Sequence, residues 1–288
     1  MIKNKAIKDS FWNVSDYISS LVIFLITTKF FLDQIGVEGY GFYTFFTSLI
    51  GTFGLVDLGM GMVVSKYLSE FLHHKKYNEA NQVVTIAFIF YIVIGLCLLL
   101  TVYVFDTNII NFLNFEEKFF DIGLQVLIVT CIIFIIRMIL SIVINILVAL
   151  EEWKTITFIN IVMKIINAII LIYILTLSTS IQEKISHIFY LLLIFSIFKV
   201  FIYFIYAKKY FNVLAFSRPT SSIINIVMKF LKVSSFQYGL SFLSMHLDNF
   251  IVTKFFGLES MGIYTFARNA FFYIYGFLAN IFKIFLPK

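Results

Sequence analysis

Long apolar runs, separated by short polar stretches, follow one another along the whole chain. Each run approaches or exceeds the roughly 18 to 20 residues that a helix needs to cross a bilayer, and none shows the alternation of a barrel strand. The runs predict an all-α polytopic membrane protein with about eight transmembrane helices. These predicted spans lie at residues 12–32, 42–63, 83–104, 122–150, 155–177, 187–207, 231–256 and 262–286.

Composition and charge support this class and exclude others. Hydrophobic residues make up 61% of the chain and charged residues 13%, with a mean hydropathy of +0.97, well outside the range of soluble domains. The basic start of the chain precedes an apolar stretch without a small-residue cleavage site, which predicts an uncleaved first span. The two cysteines and the adjacent His73 and His74 lack further ligands at metal-binding spacing. We therefore predict no metal, no cofactor and no nucleic-acid partner.

Basic residues alternate with the predicted spans. Fourteen lysines and arginines fall on one side of the membrane, whereas the other side has Lys118 and Lys184 only. By the positive-inside rule this split supports the eight-span count and predicts that both ends of the chain are cytoplasmic. Two long connections lie on the same side. Residues 65–82 predict an amphipathic helix in the membrane interface, and residues 208–230 predict either an anchored linker or a coupling element between two lobes.

A repeat relates the first and seventh spans, and the second and eighth. Residues 28–31 and 253–256 both read Thr-Lys-Phe-Phe, and a Gly-x-Glu-x-x-Gly-x-Tyr-Thr-Phe run follows each copy, beginning at Gly36 and Gly257. The first copy has four additional residues, 32–35, between the two blocks. Because six spans separate the copies, both enter the membrane from the same side and form parallel repeats.

Parallel repeats predict two helical bundles that face each other across a central cavity, as in alternating-access transporters. We assign residues 1–210 to a first six-helix lobe, 211–230 to a cytoplasmic linker and 231–288 to the first two helices of a second lobe. A complete second lobe needs roughly another 150 to 170 residues, by analogy with the first. On this interpretation we expect the chain to be truncated at its C-terminal end.

The segments around the repeat resemble a known family. Residues 32–70 contain a Gly-x-x-x-Tyr-Gly turn, an Asp-Leu-Gly-x-Gly break and a Lys-Tyr helix, and residues 246–270 contain an intramembrane Asp before the Gly-x-Tyr turn. This pattern resembles bacterial oligosaccharide, or O-antigen, flippases of the multidrug, oligosaccharidyl-lipid and polysaccharide exporter superfamily. The resemblance implies that the chain moves an undecaprenyl-pyrophosphate-linked oligosaccharide across the bacterial cytoplasmic membrane, without covalent chemistry, for lipopolysaccharide or other surface polysaccharide synthesis. A polysaccharide polymerase and other assembly proteins are candidate partners.

Ionisable residues inside spans are costly and are therefore functional candidates. The cationic candidates for binding an anionic headgroup are Arg137, Lys164, Lys199 and Arg268. The acidic candidates, for ion coupling or for structural pairing, are Asp16, Asp57 and Asp248. For Asp57, which precedes a Leu-Gly-Met-Gly helix break, capping of the next helix is the alternative. Structural ion pairs remain the alternative for every cation, and for Arg137, Lys164 and Lys199 a hydrogen bond to a neighbouring helix is a further alternative.

Two rival functions stay open on the sequence alone. A cation-coupled drug antiporter of the same architecture would share the repeat but would need a less cationic cavity. An inactive fragment or a non-transporting membrane partner would need no cavity chemistry at all, and in that case we expect the isolated chain not to transport.

Overall fold

The structure is a computed structural model that describes the backbone of residues 2–52, 57, 59–113, 115–208 and 216–285. Side chains are described over the same ranges except residues 2–16, 52, 237–238, 241–246 and 277–285. The described backbone forms helices and no strands. The helices are α1 Ile2–Thr52, α2 Met60–His73, α3 Tyr77–Leu113, α4 Glu117–Ala149, α5 Trp153–Thr176, α6 Ile181–Lys208 and α7 Ser221–Phe285.

These helices confirm the predicted polytopic all-α class. Five segments of the described chain are long and apolar enough to cross a membrane, namely Tyr17–Gly51 and the helices α3, α4, α5 and α6. Two helices are much longer than the others, because α1 contains the first predicted span with part of the second, and α7 contains the seventh and eighth. Each long helix is interrupted by one non-helical glycine.

The interrupting glycines confirm the repeat. Gly36 breaks α1 at φ 72° and ψ 176°, and Gly257 breaks α7 at φ 82° and ψ 177°. Positive φ is readily available to glycine because it has no Cβ, so the same residue is required at both breaks. The two copies therefore share a local backbone conformation as well as a sequence, as expected if each forms the sharp junction between two spans of a lobe.

Beyond the breaks, α1 and α7 pack against each other through the repeated glycines. A Cβ on Gly41 would fall on the carbonyl oxygen of Leu258, and a Cβ on Gly262 would lie 2.5 Å from the carbonyl oxygen of Val37. Gly41 corresponds to Gly262 in the repeat, and Val37 to Leu258, so the contact is reciprocal. Small residues permit this close approach of two membrane helices.

The second predicted span is divided in two. Helix α1 ends at Thr52 and α2 begins at Met60, preceded by Gly59 in the left-handed region at φ 83°. The Asp57 carboxylate accepts a hydrogen bond of 3.3 Å from the N–H of Gly61, in the first turn of α2. The predicted break is confirmed, and the carboxylate binds one of the backbone donors that a helix start leaves open.

The predicted interfacial helix over residues 65–82 is wrong in its extent, and its position relative to the membrane stays a prediction. Helix α2 ends at His73, and a turn with Lys75 at φ 56° precedes α3. The apolar face of α2 also packs within the protein, because Leu68 is fully buried and Phe71 almost so, in a cluster with residues of α3, α4 and α7. An amphipathic pattern shows that one face is covered, but does not distinguish lipid from protein.

The segment before α7 is anchored on α3. The Thr220 N–H donates 2.9 Å to the side-chain oxygen of Gln82, and the Ser217 N–H donates 3.1 Å to the hydroxyl of Thr85. Helix α7 then begins at Ser221, within the range predicted as linker. The boundaries of the two predicted lobes stay a prediction.

At the end of the molecule where α1 breaks, Lys118 connects two carboxylates. Its ammonium lies 2.7 Å from Glu38, two residues after the break, and 2.9 Å from Glu116, just before α4. The hydrogen bond from Lys118 lowers the pKa of the Glu116 carboxyl below its ordinary value. All three side chains have substantial exposure to solvent, so the cluster contributes little stability.

Candidate functional site

A polar cavity of about 790 Å³ lies between the two long helices and the helices α4, α5 and α6. Both halves of α1 contribute to its wall, on either side of the Gly36 break, and α7 contributes the part that follows Gly257. The interruptions turn each long helix back on itself, so that both halves of α1 and the second half of α7 meet α4, α5 and α6 around one space. Whether this space is the predicted central cavity between two lobes stays a prediction.

All four predicted cations line this cavity, each from a different helix. Arg137 lies on α4, Lys164 on α5, Lys199 on α6 and Arg268 on the second half of α7. No carboxylate belongs to the described lining. These four residues, the outermost of which are 131 positions apart in the sequence (137 to 268), are therefore brought around one cavity. The formal charges of its described lining are all positive, which is an environment suited to an anion.

Arg137 is the most available of these cations. It is an exposed residue on α4, although more than half of the most apolar window of this helix is buried. Among the side chains that the structure describes, none forms a hydrogen bond or an ion pair with its guanidinium. Its planar donor fork, directed at the cavity wall, is free to bind a ligand with two oxygen acceptors.

Among the described contacts, each of the two lysines donates a hydrogen bond to a neutral group. Lys164 donates a 2.8 Å hydrogen bond to the hydroxyl of Ser20 on α1, and Lys199 donates a 3.4 Å hydrogen bond to the amide oxygen of Asn160 on α5. A hydroxyl and an amide orient an ammonium without cancelling its charge. These described hydrogen bonds hold both ammonium groups at the cavity lining.

Arg268 has an acidic neighbour. Its guanidinium lies 3.4 Å from the carboxylate of Asp248 and donates a 2.7 Å hydrogen bond to the amide oxygen of Asn249. The hydroxyl of Tyr264 also donates to Asp248. The structural alternative raised for the cations therefore applies to Arg268 in part, because this cation has a counter-ion and also lines the cavity.

The predicted acids separate into three cases. Asp248 pairs with Arg268, whereas Asp57 lies beside a second, smaller cavity of about 350 Å³. There Asp57 accepts a hydrogen bond from Tyr91, whose oxygen accepts a 3.2 Å hydrogen bond from Ser141. The side chain of Asp16 lies outside the described residues. Whether any of the three couples transport to an ion stays a prediction.

Aromatic and amide side chains complete the wall and were not assigned by the sequence. Tyr40, Tyr43 and Tyr273 line the cavity, together with Asn269 next to Arg268. The position of the first two within the repeated glycine and tyrosine run is the signal that could have found them. A cavity with cations on several sides and tyrosines between them can bind both a charged headgroup and sugar hydroxyls.

The sequence profile of the MatE family matches residues 13–174, which is 162 of the 288 residues. Two curated relatives carry the name "Putative O-antigen transporter". The protein from Shigella flexneri is 26% identical over 108 residues, covering 38% of this chain and 25% of its own length. The protein from Salmonella typhi is 32% identical over 69 residues, covering 23% of this chain and 16% of its own length.

A solved structure has a similar fold. It is described as the inward-facing conformation of a multidrug resistance MATE family transporter of the MOP superfamily, and it superposes with a TM-score of 0.61 at 15% identity. The superposition covers 86% of this chain and 57% of the other. The chain thus spans little more than half of that transporter and a quarter or less of each curated relative. At this identity the likeness concerns the fold.

Proposed function

Because the chain belongs to the MatE family of membrane transporters, and is therefore a multi-pass transporter and not an enzyme, we propose that it moves a lipid-linked oligosaccharide. The proposed substrate carries an undecaprenyl-pyrophosphate headgroup, and the movement is an alternating-access transfer between the two leaflets. The names of the two O-antigen transporters support this substrate class, although they match only parts of this chain and of themselves.

One observation carries the proposal, namely a cavity with four cations and no carboxylate in its described lining. A pyrophosphate has several oxygens that accept charge-assisted hydrogen bonds, and arginine binds such groups with two parallel donors. Arg137 supplies a fork with no described partner, and the two lysines add ammonium groups to the same lining. Tyrosines on the same wall are suited to the attached sugars.

The drug antiporter is the second candidate, and the similar fold of the solved multidrug transporter is the observation in its favour. The charges in the cavity disfavour it. A cationic drug that comes within about 8 Å of one of these side chains loses about 2 kcal/mol at an effective dielectric constant of about 20. The other cations of the lining would raise this cost, although Asp248 offsets the charge of Arg268, so a cationic substrate requires compensation that the described lining itself does not supply.

We further propose that the chain resides in the bacterial cytoplasmic membrane with both of its ends in the cytoplasm, as the distribution of basic residues indicates. A polysaccharide polymerase is a candidate partner there. A reporter enzyme fused after Lys288 should then be active only if it requires the cytoplasm. Activity of a reporter that requires the periplasm would contradict this orientation.

Binding of undecaprenyl pyrophosphate to the purified chain in nanodiscs tests the substrate class. Hydrogen bonds to charged groups contribute about 1.5 to 3 kcal/mol, so Arg137→Gln should weaken binding by about tenfold or more. Arg137→Lys, which keeps the charge but loses the fork, should have an intermediate affinity. Lys154→Gln is the control, because Lys154 is an exposed cation outside the cavity.

Three results would refute the proposal. They are equal binding of uncharged undecaprenol, an unchanged affinity of Arg137→Gln, and preferential binding of a cationic dye. The last result would support the antiporter. Leaflet transfer by the chain in proteoliposomes, with a labelled lipid-linked sugar, separately tests the third candidate, a non-transporting partner or inactive fragment.

A further inference from the structure

Helix α7 contains an ionic link between its two halves. Asp248 lies before the Gly257 break, whereas Tyr264 and Arg268 lie after it. The carboxylate accepts the Tyr264 hydroxyl and pairs with the Arg268 guanidinium at 3.4 and 3.5 Å. The two halves are thus joined by charge as well as by packing, beside the cavity that Arg268 lines.

Asp248 and Asn249 both contact the guanidinium of Arg268, but in different ways. The shortest hydrogen bond of its Nη1 atom, at 2.7 Å, goes to the amide oxygen of Asn249, which is fully buried. The distances to Asp248 are at the outer limit of a hydrogen bond, so the carboxylate acts mainly through its charge. Asn249 therefore sets the position of the guanidinium, and Asp248 neutralises it.

The first repeat has no charge pair at the two matched positions, whose side chains the structure describes. Positions 248 and 268 correspond to Ile23 and Thr47, both of which line the same cavity. The threonines at the matched positions 28 and 253 are buried in both copies, as are those at 44 and 265, so the alignment holds on either side of each break. The charge pair is a difference between two otherwise matched hairpins.

The carboxylate of Asp248 is the more exposed member of the pair. Its side chain is 36% exposed, against 17% for Arg268. An anion that enters the cavity reaches the guanidinium from the wall that Arg268 lines, and it competes there with the carboxylate for the same donors. Of the contacts that the Arg268 guanidinium makes with Asp248 and Asn249, the one to Asp248 is longer and more exposed, so an incoming anion should replace the contact to Asp248.

We propose that Asp248 is a displaceable counter-ion of Arg268, and that an anionic diphosphate in the cavity takes its place on the guanidinium. The inference rests on the proposed function, because it requires an anionic substrate. Displacement removes the ionic link across Gly257 while Asn249 keeps the guanidinium in position. Occupation of the cavity is thereby coupled to the junction between the two halves of α7.

Calorimetric titration of the purified full chain with inorganic pyrophosphate, at fixed pH and salt, tests this inference. Asp248→Asn removes the competing charge, so it should tighten pyrophosphate binding by about fivefold or more, and Arg268→Gln should weaken it. In the Arg268→Gln background, Asp248→Asn should have no further effect, because its gain acts through that guanidinium. Asp248→Ser is the second variant, in case Asp248→Asn does not fold, since a hydroxyl can also accept from Tyr264.

Two outcomes would overturn the inference. Weaker or unchanged binding by both Asp248 variants would show that the carboxylate is a structural support and no competitor. An equal gain with and without Arg268 would show a general effect of charge on the cavity. Suppose that Arg137→Gln weakens pyrophosphate binding while the Asp248 variants change it neither alone nor together with Arg268→Gln. The inference about a displaceable counter-ion is then wrong, and the proposed function stands. If the unaltered chain does not bind pyrophosphate at all, the proposed function fails as well.

Discussion

The reciprocal glycine contact between α1 and α7 leads to a strict prediction. Adding a single methyl group at this contact should force the two helices apart. Gly41→Ala places a Cβ on the carbonyl oxygen of Leu258, where no atom fits. The oxygen belongs to the backbone and cannot rotate away. Since carbon and carbonyl oxygen atoms normally approach to about 3.3 Å, the helices must move apart by more than about 1 Å.

The size of the effect follows from two opposing contributions. Overpacking a tight contact costs typically about 1 to 3 kcal/mol, and the upper end applies here because backbone is struck. Alanine gains up to about 1 kcal/mol over glycine in a helix interior. The net loss for Gly41→Ala is therefore about 2 kcal/mol, with a smaller loss for Gly262→Ala, whose Cβ would meet the Val37 oxygen at 2.5 Å.

Gly239→Ala is the matched control, because it also lies in α7 and its Cβ would meet nothing within 4 Å. The control should gain the helix preference without the clash. The two variants should then differ by about 3 kcal/mol, or by about 5 to 10 °C in unfolding midpoint for a chain of this size.

The chain provides its own probe for this measurement. It has two cysteines, of which Cys131 is fully buried and Cys97 is exposed. In a Cys97→Ser background, labelling by a thiol-reactive fluorescent dye during heating reports the exposure of Cys131 on unfolding. An unfolding midpoint of Gly41→Ala at or above that of Gly239→Ala would refute the close approach of the two helices.

Two further predictions concern single contacts, measured by the same labelling assay. Tyr91→Phe should destabilise the protein by about 1 to 3 kcal/mol, because it removes the hydroxyl that donates to Asp57 inside the bundle. Tyr190→Phe, at a residue 47% exposed, should be near neutral, and equal effects would contradict the role of that bond. Lys118→Met should leave the midpoint unchanged, since its pair with Glu38 is largely solvated, and a clear loss of stability would contradict that view.

The features that could be predicted from the sequence are those that depend on hydropathy and on the residue type at a given position. The cost of an ionisable group in a membrane span singles out Arg137 without knowledge of its neighbours, and the structure then places it on the cavity wall. The repeat is visible in the sequence itself. The matched backbone dihedral angles of Gly36 and Gly257 follow because glycine is the residue type that readily adopts a positive φ.

The partners of each charge could not be read in this way. Lys164 meets Ser20 across 144 positions of sequence, and no local pattern connects them. Asn249 is one of several amides in predicted spans, and only the fold shows that it orients Arg268. The face of α2 was recognised as apolar, but its covering by protein depends on helices that lie far away in the chain.

The four additional residues before Gly36 have a consequence for how the two copies could diverge. Residues 32–35 are helical, and four residues make about 1.1 turns of an α-helix, adding about 6 Å of length and only about 40° of rotation. An insertion of two residues would have turned the following face almost to the opposite side. A length change of nearly one full turn leaves the side chains on almost the same faces of the helix. The first hairpin could therefore become longer than the second while the close contact between Gly41 and Gly262 was kept.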